Sequence, residues 1–583
     1  LVLTDSFFPG WKAFVRPQGA GEEAEQEVEI ARVDGNFRGV FLEAGAWTVR
    51  FKYSPNSVKI GAFVSFIAGM LLVFLTGLYL WRFFYREEDD ASTVRRVAKN
   101  SLAPIALNLF NRLIDFALAA LTARILGPVG TGRFATAANI YLWFDIVANF
   151  GLDMYLMREV ARDRERARRL FLNTTLLRLL LFAGAIPLLG GFLAGWQAMG
   201  TPLTTDTVWT ILLLYAGLLP GSIAYGLAGL FRGCEKHEIP AAVQTVTTVV
   251  KATLGVLALV GGLGIVGLGG AAALTNVATL AILVAVARRT IWADLPPRKA
   301  GIAWPLQRAM LVESWPLMLS LLLQALFPGL NVLLLQTLQG DAAVGWYDAA
   351  RKWVDALVII PSFFTIAVFP VMSRQAAEDR AQLRRSYCLS VKLLTMIALP
   401  AAVLVTLLAE PLVGLLSGAA FLPHGAVALR LLIWSILFGW LNSLTNYVLI
   451  ALNRQRYVLV ASGGRVVFTI AANLLLVRSF SYVASAWIMI AGELLLALLF
   501  YAGLRRQLGK IGWGRMLGGT LLAGAAMGAA TWATALASPL LALAAGPAVY
   551  LAALALLRVL TPEEQAMLAP LLPAPLRRTK TKA

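Results

Sequence analysis

The chain has 583 residues, 59% of them hydrophobic and only 14% charged, with a mean hydropathy of +0.72. That balance excludes a set of soluble domains and places most of the chain in a bilayer. The net charge of +19 does not signal a nucleic-acid partner, because the Lys and Arg residues lie between the apolar stretches on alternate loops.

Residues 1–57 read as a small extracytoplasmic β module. Thr48-Val49-Arg50-Phe51-Lys52-Tyr53 alternates polar and apolar side chains, putting Val49, Phe51 and Tyr53 on one face of a half-buried strand, and Gly10, Gly35, Gly39 and Gly45 mark turns. Residues 58–85 form a first spanning helix with Tyr79 and Trp81 as interfacial aromatics. Residues 86–100, where Glu87-Glu88-Asp89-Asp90 precedes Arg95, Arg96 and Lys99, form a charged cytoplasmic linker. This leaves the β module outside, on a charge bias that Lys52 and Lys59 keep small. The chain starts at Leu1 rather than Met with no signal peptide ahead of the module. Either the first helix exports its own N-terminus or the reading frame is truncated or fused.

About fourteen further apolar stretches follow, the first centred near Asp115 and the last near Val549, each close to the roughly 20 residues needed to cross the hydrocarbon core. The loop from Arg158 to Arg169 carries Arg158, Arg162, Arg164, Arg166, Arg168 and Arg169, whereas Gly195 to Thr205 has no Lys or Arg. Basic loops recur at Arg232/Lys236, Arg288/Arg289, Arg374/Arg380, Arg454/Arg456 and Arg505/Arg506, with Arg478 the main exception between them. The C-terminal tail is therefore expected in the cytoplasm. A weak repeat sets Pro104 against Pro316 and Gly132-Arg133-Phe134 against Gly345-Trp346-Tyr347, at an offset of about 212 residues. An even number of spans separates the copies, which relates them by an axis along the membrane normal. The expected fold is all-α and polytopic, with one six-helix lobe over 101–300 and a second over 301–510. Two additional helices over 511–560 and a basic cytoplasmic tail over 561–583 complete it.

Catalytic and metal chemistry find no support. Cys234 and Cys388 are far apart and His237 and His424 stand singly in loops, so no disulfide, metal site or cofactor is expected. Gly262-Leu263-Gly264-Ile265-Val266-Gly267 fits a dinucleotide fingerprint in spacing, but it lies in a short turn with no strand before it and reads as helix packing. With no nucleophile elbow, phosphate loop or soluble carboxylate pair, the chain is not read as an enzyme.

The stretch Leu121-Thr122-Ala123-Arg124-Ile125-Leu126-Gly127-Pro128-Val129-Gly130-Thr131-Gly132-Arg133-Phe134 resembles the join between the first two spans of a known family. So does Asn149-Phe150-Gly151-Leu152-Asp153 with Arg158-Glu159-Val160-Ala161-Arg162. That family is the polysaccharide-transport branch of the multidrug/oligosaccharidyl-lipid/polysaccharide exporter superfamily, and the resemblance covers about residues 91–560. It implies a flippase for a polyprenyl-pyrophosphate-linked oligosaccharide in the bacterial cytoplasmic membrane. The partners it implies are membrane lipids and a polysaccharide polymerase or glycosyltransferases. Asp5-Ser6-Phe7-Phe8-Pro9-Gly10-Trp11-Lys12-Ala13 and Asn36-Phe37-Arg38-Gly39-Val40 are similar to the extracytoplasmic end of YfhO-like membrane proteins.

Intramembrane charge carries the remaining signal, since each charge facing lipid at the bilayer centre costs roughly 2.5–3.5 kcal/mol. In the eighth span of the flippase-like region Asp348, Arg351, Lys352 and Asp355 fall within roughly 100° of one another on a helix of 3.6 residues per turn. They form one stripe, with Asp348–Lys352 and Arg351–Asp355 able to pair at i,i+4. In the first span Arg112 and Asp115 share a face beside Asn108 and Asn111. Lys251 and Lys392 stand alone in apolar spans and add the positive surplus a pyrophosphate needs. Arg112, Asp115, Lys251, Arg351, Lys352, Asp355 and Lys392 are thus the expected substrate-binding residues. Three readings stay open: the flippase, a drug or cation antiporter of the same superfamily, and a non-transporting glycosyltransferase-like accessory protein.

Overall fold

A computed structural model describes residues 1–19, 25–53, 93–198, 202–292, 301–535, 539–561 and 564. The expected helix over 58–85, the acidic run and the basic tail lie outside the described residues. Residues 1–109 and 110–583 are two compact units, each taken by itself below.

The N-terminal module holds two three-stranded antiparallel sheets. They are built from β1 (Val2–Ser6), β2 (Trp11–Pro17), β3 (Gln26–Val28), β4 (Ala31–Val33), β5 (Phe37–Gly39) and β6 (Trp47–Tyr53), in the orders β1-β5-β4 and β3-β2-β6. The alternating run falls in β6, where Val49, Phe51 and Tyr53 stand opposite Val15, Ala13 and Trp11. Ala13, Val15 and Val40 form a small core against which Val49 and Phe51 pack. Arg38 is buried between the sheets, its guanidinium 3.7 Å above the Trp11 ring and paired with Asp5.

The helical region runs α1 (Thr93–Asn149), α2 (Leu152–Arg162), α3 (Ala167–Ala198), α4 (Thr205–Gly233), α5 (Glu238–Val260), α6 (Gly264–Thr290), α7 (Trp304–Gln339) and α8 (Asp341–Leu357). It continues with α9 (Ile359–Glu378), α10 (Arg380–Leu407), α11 (Ala409–Leu416), α12 (His424–Leu432), α13 (Ser435–Ala451), α14 (Gln455–Leu508), α15 (Trp513–Ala535) and α16 (Pro539–Leu556). Ten described helices are long and apolar enough to cross a membrane, and α12 with α13, bent by 41°, makes an eleventh. Two of the ten hold two passages each, because Gly127 (φ 67°, ψ −173°) breaks α1 and Ser481 (φ 49°, ψ −139°) breaks α14. With the shorter apolar helix Leu541–Leu556, the described passages number fourteen, as hydropathy predicts.

Two local expectations change. The basic stretch from Arg158 to Arg169 is not a loop: α2 runs to Arg162, a 3-10 turn covers Arg164–Arg166, and α3 begins at Ala167. Leu152, Tyr155, Leu156 and Val160 are buried on one face of α2, a helical spacing that makes this an amphipathic segment. The eighth passage is likewise interrupted at Val358, between α8 and α9, immediately after the charged stripe.

Each lobe has its own core. The first is built around Leu152, Leu227, Phe231 and Ile140, Ile211, Leu218, and the second around Tyr347, Tyr387, Phe421 and Trp440. Val403, Ala523, Met527 and Tyr550 join α15 and α16 to the flank of the second lobe. The lobes meet backbone to backbone at the glycines of the repeat. A Cβ on Gly132 would lie 1.8 Å from the Asp341 carbonyl oxygen, and one on Gly345 would lie 1.9 Å from that of Pro128. The glycines and their two targets differ by the same 213 positions, so the contact is reciprocal, as a two-fold relation between the lobes requires.

Candidate functional site

The stripe on α8 pairs within itself as its spacing predicts. Lys352 Nζ is 3.5 Å from Asp348 Oδ2 and Arg351 Nε is 3.3 Å from Asp355 Oδ2, both at i,i+4. Asp348 is buried, whereas the Lys352 and Asp355 side chains are 42% and 46% exposed.

Across from α8, the first passage pairs with the fifth. Lys251 Nζ on α5 is 2.5 Å from Asp115 Oδ1 on α1, and one turn away Asn111 Nδ2 donates to Thr245 Oγ1 at 3.4 Å. The Phe116 and Trp353 rings meet edge to face at 5.0 Å, and each is a sequence neighbour of these charges. One aromatic contact therefore bridges the lobes between the Asp115–Lys251 pair and the α8 stripe. Asp115, Lys251, Lys352 and Asp355 are half exposed although each lies well inside a passage. At that depth, exposure to lipid would be costly, and exposure to a watered cleft between the lobes is not.

Two expected residues stand differently. Arg112 is exposed and does not pair with Asp115, which Lys251 has taken. Lys392 is not brought to the cleft. It is buried on the flank of the second lobe, with Nζ 2.7 Å from Glu564 Oε2. Glu564 also accepts from the Thr561 amide at 2.8 Å, while its own amide donates back to Thr561 Oγ1 at 3.3 Å. This is the reciprocal geometry of a capping box.

Further charges went unnoticed in the sequence. In the second lobe Arg465 Nη1 donates to Glu493 Oε1 at 2.9 Å, Asn442 Nδ2 donates to Glu493 Oε2 at 2.6 Å, and the Arg465 guanidinium lies 3.9 Å above Phe327. In the first lobe Arg178 is fully buried and its guanidinium nitrogens have no hydrogen-bond partner among the described residues. The signal was present: Arg178 interrupts the run from Leu176 to Leu180 just as Lys251 interrupts its own span.

A family model described as polysaccharide biosynthesis protein matches residues 97–376, which include α1, α5 and α8, and one described as MatE matches residues 316–475. Among curated proteins no sequence matches. Among solved structures, the lipid II flippase MurJ in an inward closed conformation aligns with a TM-score of 0.61 at 11% identity, covering 78% of this chain and 98% of that one. An inward-facing multidrug resistance MATE family transporter aligns with a TM-score of 0.54 at 18% identity, covering 70% and 94%. A transporter from Pyrococcus furiosus, whose binding pocket is described as of reverse polarity, aligns at 0.51 with 17% identity, covering 70% and 97%.

Proposed function

Because this chain belongs to the multidrug/oligosaccharidyl-lipid/polysaccharide exporter superfamily of membrane transporters and flippases, we propose that it moves a polyprenyl-pyrophosphate-linked oligosaccharide across the cytoplasmic membrane for cell-surface polysaccharide synthesis. The observation that carries this reading is the set of charges half exposed in mid-passage on α1, α5 and α8. Of Arg112, Asp115, Lys251, Asp348, Arg351, Lys352 and Asp355, four are cations and three are anions. A positive surplus is left for a diphosphate after every carboxylate is matched, and Arg351 offers the planar donor set that phosphate oxygens accept best. In this reading Arg351, Lys352 and Lys251 contact the headgroup, Asp355 and Asp115 orient them, and Arg112 adds positive field at the cleft. Lys392, engaged by Glu564, has no part in the contact. The β module faces the extracytoplasmic side.

Flipping of a labelled polyprenyl-pyrophosphate oligosaccharide in liposomes holding the purified chain tests the proposal. Arg351→Glu and Lys251→Glu should each abolish flipping with insertion unchanged, and transport retained in both overturns the headgroup assignment. The match to MatE over 316–475 and the half-exposed Asp115 and Asp355 favour a second reading, export of a cationic drug. In that case the wild type exports a cationic dye without flipping the glycolipid, and Asp115→Asn and Asp355→Asn lose the export.

A further inference from the structure

Arg124 is used neither by the mid-passage pairs nor by the glycine seam. It stands on α1 one turn before the break at Gly127, and the groups it binds belong to α11 in the second lobe. Its Nε donates to the Leu416 carbonyl oxygen at 3.2 Å and its Nη2 donates to that of Leu415. These are the last two residues of α11.

The last four carbonyls of an α-helix have no partner inside it. In α11 the turn that follows serves the first two of them: the Ser417 amide donates to Val413 at 2.8 Å and the Gly418 amide to Gly414 at 3.1 Å. Gly418, with φ of 94°, then turns the chain aside. Among the described residues no backbone amide reaches the carbonyl of Leu415 or Leu416. Both are left to Arg124, whose Cγ passes 3.8 Å from a Cβ position on Gly418. A cation at the C-terminal end of a helix also meets the favourable end of its dipole. The first lobe thus supplies the C-terminal cap of a helix in the second. That helix is firmly held in its own lobe, since Ala409 and Val413 are fully buried in the core with Phe421 and Ala426. A pull on the cap is therefore a pull on the lobe.

Arg124, the Gly127 break, Asp341 and α11 lie at one end of the passages, where the connections hold few Lys or Arg residues, and the basic connections lie at the other. That distribution makes this the outer end. Asp115 precedes Arg124 by nine residues on α1, so the cleft charges lie about 13 Å deeper along the helix. Anything that leaves the cleft outward requires the lobes to part where Arg124 joins them. The contact is also one-sided, unlike the reciprocal seam beside it. The position 213 residues on is Thr337, whose hydroxyl donates to Leu333 within its own helix. The Arg124 contact is an addition to the two-fold frame and not a part of it.

We propose that Arg124 is the latch of the outer face. It is a positioning residue, touching no cargo, that holds the lobes together at this end by capping α11 and releases both carbonyls when the cleft opens outward. Opening costs α11 its cap, so parting of the lobes and fraying of the last turn of α11 are one event. The inference goes beyond the transport reading and holds whatever the cargo.

The test is the distance between the outer ends of the lobes, read by pulsed electron paramagnetic resonance on the full chain in lipid nanodiscs. Cys234→Ser and Cys388→Ser clear the background, and spin labels go on Leu263→Cys in the first lobe and Ser479→Cys in the second, both exposed positions. Hydrogen exchange of residues 413–418 is followed in the unlabelled chain. Arg124→Met keeps the stem and removes the donors, and it should raise the long-distance population about tenfold while protection of 413–418 falls. Arg124→Lys, which still offers charged donors to both carbonyls, should restore most of each. Arg430 is the control, because it pairs with Glu410 of the same helix at 2.8 Å but inside one lobe. Arg430→Met should leave the distance unchanged. An unchanged distance in Arg124→Met, even with 413–418 frayed, reduces the contact to a local cap and overturns the proposal. So does an opening in Arg430→Met equal to that in Arg124→Met. Should Arg124→Met fail to fold, Arg124→Gln, which keeps one donor group, should shift the distance part of the way, and an unshifted distance there overturns the proposal equally.

Discussion

Each lobe buries an arginine within a membrane passage, and the two are treated in opposite ways. Arg465 in the second lobe has a carboxylate at 2.9 Å, an aromatic face at 3.9 Å and, behind the carboxylate, the amide of Asn442. Arg178 in the first lobe has a space cleared for it by Gly226 and no hydrogen-bond partner among the described residues. The same residue type at similar burial is a brace in one lobe and a stored cost in the other. The difference teaches that partners, not burial, decide what a buried charge contributes.

That contrast can be broken by measurement. The largest effect is expected from Glu493→Ala, which strands Arg465 as an unpaired buried charge. Removing one member of such a pair costs about 3–5 kcal/mol, so the variant should show a sharply lowered melting temperature in detergent and poor yield. Arg178→Met should go the other way, gaining about 1–3 kcal/mol as a desolvated cation is replaced by an apolar chain of similar reach. If it melts as low as the Glu493 variant, the two arginines are equivalent and the comparison fails. Gly132→Ala and Gly345→Ala press a methyl into the facing carbonyl, and overpacking of this kind costs about 1–3 kcal/mol. A double variant should cost no more than the sum, because both substitutions open the same seam. Smallest is the pair Arg158–Glu313, exposed on both sides. Glu313→Gln should change thermal stability by less than about 1 kcal/mol.

Much of this architecture could be read from the chain. Fourteen passages follow from hydropathy and the lobes from the glycine repeat. The pairs Asp348–Lys352 and Arg351–Asp355 follow from i,i+4 spacing, because all of these are set by short-range periodicity. What escaped depends on which helices become neighbours. Lys251 reaches Asp115 across 136 positions and Lys392 reaches Glu564 across 172, and no local pattern encodes either. Arg112 and Asp115 share a face of one helix, yet the carboxylate is taken by Lys251 on another. The amphipathic α2 was hidden by its arginines, which mark a basic loop by charge count although Leu152, Tyr155, Leu156 and Val160 keep a helical apolar face.

The reciprocal glycine seam has one more consequence. Where Gly132 and Gly345 press on Asp341 and Pro128, backbone lies on backbone, and no rotamer has to be frozen or repacked when the angle between the lobes alters. The side chains that follow are unlike: Arg133 pairs with Asp341 across the seam at 2.9 Å, whereas Trp346 lies against His424 of its own lobe, the rings tilted by 31° with centroids 4.1 Å apart. Mechanically this is a fulcrum with a catch on one side of it. The lobes can roll on the glycines without side-chain repacking at that point, and Arg133–Asp341 is the ion pair beside it that such rolling stretches.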